Sequence, residues 1–106
     1  MPKQKPISAE TLESICTVLG GQNTGTQIGY YLWKTGITDT DPVITKWRRL
    51  YNAFATYQNQ FQESNKILIF IQKTLSPIRY VDNHEQFEGY RIDINRRLLF
   101  IGIELL

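Results

Sequence analysis

Apolar positions recur at three- and four-residue steps in several stretches of the chain, most clearly at its middle. From Asp41-Pro42 to Phe61, the residues Val43, Trp47, Leu50, Phe54, Tyr57 and Phe61 fall on one face of a helix. Lys46, Arg48, Arg49, Asn52, Thr56 and Asn59 occupy most of the remaining circumference. Proline suits the first helical position, where its missing N–H forfeits no bond, and Asp41 before it can cap the next free amides. A stripe this rich in aromatics has to be buried, so residues 41–61 are expected to form the centre of the fold.

The same pattern places four more helices around it. Ser8 caps the first, with Glu10 in the first turn and Leu12, Ile15 and Leu19 on one face, and Gly20-Gly21 is expected to end it. Thr26 caps a short second helix whose buried face is Ile28, Tyr31 and Leu32, closed by Gly36. Residues 66–75 are rich in β-branched side chains, which suit a strand, but no partner strand or hairpin turn is evident. Helical spacing gathers Ile67, Leu68, Ile71 and Leu75, so a helix is the reading taken. Ser76-Pro77 stops it, because the residue before proline avoids the α region. Asn83, with Gln86 three residues on, starts a last helix whose core face is Phe87, Tyr90, Ile94, Leu98, Ile101 and Leu105. Residues 1–7 are polar apart from Ile7 and the two prolines, and read as a flexible arm. The expected fold is therefore all-α, about five helices in one domain over residues 8–106.

Composition narrows the function more than the fold. A chain of 106 residues with 42% hydrophobic content can bury a core without disulfides or metal. The single cysteine, Cys16, lies in an apolar run and reads as a small buried hydrophobe, which suits a reducing compartment. MPKQKPIS has no apolar segment of the signal-peptide kind, and no apolar run is long enough to span a membrane, so the cytoplasm is the expected compartment. A net charge of +2 is too small to imply nucleic acid by itself.

Candidate chemistry is sparse. One histidine and one cysteine, far apart, give no metal-ligand spacing, and no cofactor motif is present. The i,i+3 carboxylates Glu10/Glu13 and Glu85/Glu88 read as solvated helix faces. Arg79 and His84 share the R-x4-H spacing of HEPN-type ribonucleases, a permanent cation for phosphate beside a group that titrates near neutrality. The spacing arises readily by chance, and a surface histidine in a first helical turn is the favoured explanation. Lys46, Arg48 and Arg49 form the densest basic cluster, near the start of what could be the recognition helix of a helix-turn-helix. Asp39 and Asp41 at the same helix start argue against a phosphate contact. Tyr30 and Trp33 lie off the buried face of the second helix, so aromatic surface is expected there.

Past Leu98 the apolar pattern widens to include Leu99, Phe100, Ile103 and Leu106 on other sides of the last helix. Such an end suits burial in the core, pairing with a second copy, or a natural chain that continues past Leu106. Three blocks sharpen this. They are SAETLESICTVLG at residues 8–20, DPVITKWRRLYNAF at 41–54, and SPIRYVDNHEQFEGYRIDINRRLLFIGIEL at 76–105. Together they resemble the N-terminal helical domain of bacterial abortive-infection proteins of the AbiJ and Ymh type, over nearly the whole chain from Ser8. Thr45-Lys46-Trp47, Leu50-Tyr51-Asn52-Ala53 and Asn95-Arg96 carry the likeness beyond what helix patterning requires. The resemblance implies a sensing or regulatory module ahead of a HEPN ribonuclease effector, with phage defence by growth arrest as the setting. It transfers no catalytic residue, since the position of His84 is not a fixed histidine in that pattern. It implies instead a non-enzymatic sensing domain, and the apolar end of the last helix places its expected self-association or docking at Leu99, Phe100, Ile103 and Leu106.

Overall fold

Each helix forms where the apolar spacing puts it, and the differences lie at the ends. A computed structural model describes residues 2–102, which hold α1 (Ala9–Gln22), α2 (Gly25–Thr35), α3 (Lys46–Phe61), α4 (Asn65–Thr74) and α5 (His84–Leu98), with single 3₁₀ turns at Pro77–Tyr80 and Leu99–Ile101. The architecture is all-α, a small bundle with α3 at its centre. Among the described residues there is no strand, and no helix is long and apolar enough to cross a membrane.

The starts of α1 and α5 are as the sequence implies. The Ser8 hydroxyl accepts from the Thr11 N–H, and the Asn83 side chain accepts from the Gln86 N–H. Helix α2 begins earlier than expected, because Thr24 rather than Thr26 caps it. Thr24 Oγ1 accepts from the Gln27 N–H at 3.2 Å while Gln27 Oε1 accepts from the Thr24 N–H at 2.8 Å. A reciprocal box needs a long polar side chain three residues after the cap, and three residues after Thr26 stands Gly29.

Helix α3 is the larger correction. It starts at Lys46 and not at Pro42; Pro42-Val43 instead makes a turn that leaves Val43 89% exposed. The cause is Asp39, whose carboxylate is held by the Arg49 guanidinium at 2.6 Å. A helix running from Pro42 would carry Arg49 roughly 10 Å along the axis, out of reach of Asp39. The chain therefore loops round the helix start. Of the expected stripe, Leu50, Phe54 and Tyr57 are buried with Ala53, Trp47 is half-buried, and Phe61 is exposed at the far end.

Gly20-Gly21 does not end α1, which continues to Gln22. A Cβ on Gly20 would stand 3.1 Å from the backbone nitrogen of Trp47, so glycine here allows α1 and the start of α3 to approach closely. Helix α1 packs along α3 and is backed by α5, while α2 packs on α4 and touches α3. Phe54 and Phe70 meet edge-to-face at 5.1 Å in the middle, with Tyr31 6.1 Å beyond Phe70. Around them Leu12, Ile15, Leu19, Ile28, Leu32 and Ile94 are fully buried. The helical reading of residues 66–75 holds, since Ile67, Phe70 and Ile71 enter this core from one face of α4.

Where the sequence suggests a flexible arm, residues 2–7 form a strap. Gln58 reaches from α3 to bond both backbone groups of Ile7, accepting from its N–H at 2.7 Å and donating to its carbonyl at 3.1 Å. The Gln4 N–H donates to Asn65 Oδ1 at 2.7 Å, the Gln4 carbonyl accepts from the Ser64 N–H, and the Lys5 carbonyl accepts from the Ser64 hydroxyl. Ile7 is buried at the head of the core.

Candidate functional site

Arg79 and His84 sit on a short connector, and the structure gives them separate surroundings. Thr74 ends α4 with a carbonyl that accepts from Arg79 Nη1 at 2.6 Å, Gln22 Nε2 at 3.0 Å and the Tyr80 hydroxyl at 3.3 Å. The Arg79 guanidinium also lies over the rings of Tyr31 and Tyr80, 5.0 and 5.5 Å from their centroids. This arginine therefore closes a helix end and joins α2 to the connector. His84 is the first residue of α5, exposed, with its ring 6.2 Å from that of Phe87. Among the described residues, no hydrogen bond or ring contact joins His84 to Arg79.

The basic cluster is divided in the same way. Arg49, expected on the outer face, is 9% exposed and buried against α2, where its Nη1 donates to the Gly25 carbonyl at 2.9 Å and its Nε and Nη2 hold Asp39. A helix-facing glycine makes the room, since a Cβ at Gly29 would lie 2.9 Å from Arg49 Nη2. Lys46 is exposed along its length, but its Nζ donates to the Asn23 carbonyl at 3.0 Å. Arg48 alone of the three carries no hydrogen bond or ion pair among the described residues, and its guanidinium lies 5.2 Å over the Trp47 ring. A continuous phosphate-binding face is therefore not assembled. The sequence pattern could not separate Arg49 from Arg48, because the buried side of α3 is widened at its start by an ion pair and not by an apolar residue.

Arg48 opens onto a cleft of about 430 Å³ between α1, the loop before α3, and α3 itself. Trp47, Ile44 and Tyr51 supply its apolar and aromatic walls. Glu13 from α1, Asp41 from the loop, and Asn52 and Arg48 from α3 supply its polar groups. Among the described residues, none of these four polar side chains hydrogen-bonds or ion-pairs within the protein, and the Tyr51 hydroxyl is equally unoccupied. Close packing of Gly20 on Trp47 fixes one wall relative to the other. Helical spacing from Arg48 to Tyr51 and Asn52 was visible in the sequence. The loop that brings Asp41 over them was not.

A second exposed region lies at the end of α5. Leu99 and Phe100 are 62% and 83% exposed in the 3₁₀ turn that follows it, and Ile92 is partly exposed on α5 itself. Ile103 and Leu106, expected in the same surface, lie outside the described residues. On the neighbouring turn of α5, Arg91 holds Glu88 at 2.7 Å, and that bond keeps the Glu88 carboxyl below its ordinary pKa. Among the described residues, no group of three or more histidine, cysteine or acidic side chains is placed to hold a metal ion. Comparison with models of protein families, with curated proteins and with solved structures finds no match to this chain.

Proposed function

We propose that this chain is a non-enzymatic helical interaction module of a bacterial abortive-infection protein. It works in the cytoplasm by protein–protein contact and regulates an effector domain. The setting rests on the three sequence blocks that resemble that family. The contact rests on one observation, the exposure of Leu99 and Phe100 at the end of α5. Adjacent large apolar side chains gain little from water and a great deal from a partner, at about 25 cal/mol per Å² covered. The occupation of Arg49 and Lys46 within the fold and the internal role of Arg79 favour this reading over phosphate recognition or RNA cleavage.

Sedimentation velocity over a wide range of protein concentrations tests the contact. The expected result is reversible association that the paired substitutions Leu99→Ser and Phe100→Ser weaken without loss of helicity. A protein that stays monomeric throughout, with the variant indistinguishable from it, would remove the C-terminal surface as a contact.

A further inference from the structure

We infer that the cleft between α1 and α3 is a binding site for a free basic amino acid of the arginine type. The inference concerns residues distinct from the C-terminal contact and stands apart from it. Five polar side chains line a space of about 430 Å³, at the small end of ligand pockets, and the protein itself satisfies none of them among the described residues. Here Glu13, Asp41, Arg48 and Asn52 come from three separate segments and line one space.

The charges select the ligand. Two carboxylates against one guanidinium give the lining a formal charge of −1, so a ligand of net charge +1 balances it. The single cation is as informative as the two anions, because a cleft for a simple amine needs no guanidinium in its wall. Arg48 offers a planar pair of donors to a carboxylate, and Asn52 beside it adds an amide donor. Glu13 and Asp41 are acceptors for an ammonium or guanidinium group. Trp47 already carries one guanidinium over its ring, that of Arg48 at 5.2 Å, and Tyr51 gives a second aromatic wall of the kind that takes an alkyl-guanidinium. An L-arginine molecule has each complementary group in one small chain.

The same cationic end could also arrive on the side chain of a protein, and the carboxylate distinguishes the two sources. Isothermal titration of the purified chain with L-arginine, agmatine and L-glutamate is the experiment. Agmatine keeps the guanidinium and lacks the carboxylate. L-Arginine is expected to bind about tenfold tighter than agmatine, the difference made by one charge-assisted contact to Arg48, and L-glutamate is expected not to bind. Arg48→Met should remove the advantage of L-arginine over agmatine, while agmatine, a dication relieved of a like charge in the wall, should bind at least as tightly as before. Glu13→Gln with Asp41→Asn should abolish both, with circular dichroism confirming that the fold is intact. Agmatine binding as tightly as L-arginine would overturn the free amino acid in favour of a protein side chain. No heat from L-arginine, binding of L-glutamate, or full affinity in the Glu13/Asp41 variant would overturn the site itself.

Discussion

Replacing Arg49 by alanine separates a structural arginine from a nucleic-acid ligand, and the structure supplies the magnitude. The guanidinium makes three contacts to Asp39, at 2.6, 3.1 and 3.2 Å, and one to the Gly25 carbonyl at 2.9 Å. Its side chain is 11% exposed and that of Asp39 25%. Removing one member of a fully buried pair costs about 3–5 kcal/mol, chiefly by stranding the other charge. Asp39 retains some access to water, so its carboxylate is partly rehydrated, and about 2–3 kcal/mol is expected. For a domain of this length that is a fall of roughly 10–20 °C in Tm. Urea unfolding followed by circular dichroism measures it, and Asp39→Ala with the double variant completes a cycle whose coupling should be about 2 kcal/mol. Stability within about 0.5 kcal/mol of the parent, the size of an ordinary surface change, would refute the reasoning. Coupled with lost RNA affinity, that result would return Arg49 to a binding face.

Three further outcomes follow from neighbouring features. Gly29→Ala should destabilise by about 1 kcal/mol, since its methyl meets Arg49 Nη2, yet stabilise by about 0.5–1 kcal/mol once Arg49 is leucine, as alanine ordinarily does within a helix; unchanged sign in the two backgrounds would contradict the packing. Burial raises the Tyr57 hydroxyl above its ordinary pKa of 10.0, as does its bond to Glu63, so the folded state holds this proton more tightly. That stabilisation is complete below pH 10.0 and declines as pH rises toward the folded value, so Tyr57→Phe should lose less stability than the parent across that window in alkaline urea titrations. Burial also pushes the Cys16 thiol up, with the Glu13 charge adding to it, so alkylation should proceed only through unfolding and its rate should track denaturant; rapid labelling in buffer would show an open path to α1.

The legible part of this fold is the part governed by apolar periodicity. Leu50, Phe54 and Tyr57 on α3, and Ile67 and Ile71 on α4, share faces because 3.6-residue spacing fixes them whatever surrounds them. Reading 66–75 as a helix succeeded for that reason against its β-branched content. What was not legible depends on pairs distant in sequence. The false start at Pro42 follows from Asp39 finding Arg49, and the passage of α1 through Gly20 follows from Trp47 arriving beside it. Each local signal, a proline after an aspartate or a glycine pair, is overridden by a tertiary contact. The cleft was hidden for the same reason, as Glu13 and Asp41 meet Arg48 only after the loop before α3 has turned back.

The strap at residues 2–7 has a consequence for how the chain is made. Its bonds to Gln58 and Asn65 span 51 and 61 positions, so residues 2–7 have no native partner until α3 and the start of α4 have been synthesised. The residues of α1 and α2 have all been made by then, but Ile7 cannot be sealed over the core until α3 is complete and the turn into α4 has emerged. Vectorial synthesis thus leaves the head of the hydrophobic core uncovered until α3 is complete, and backbone groups of earlier-made residues then close it by clasping side chains of later-made ones.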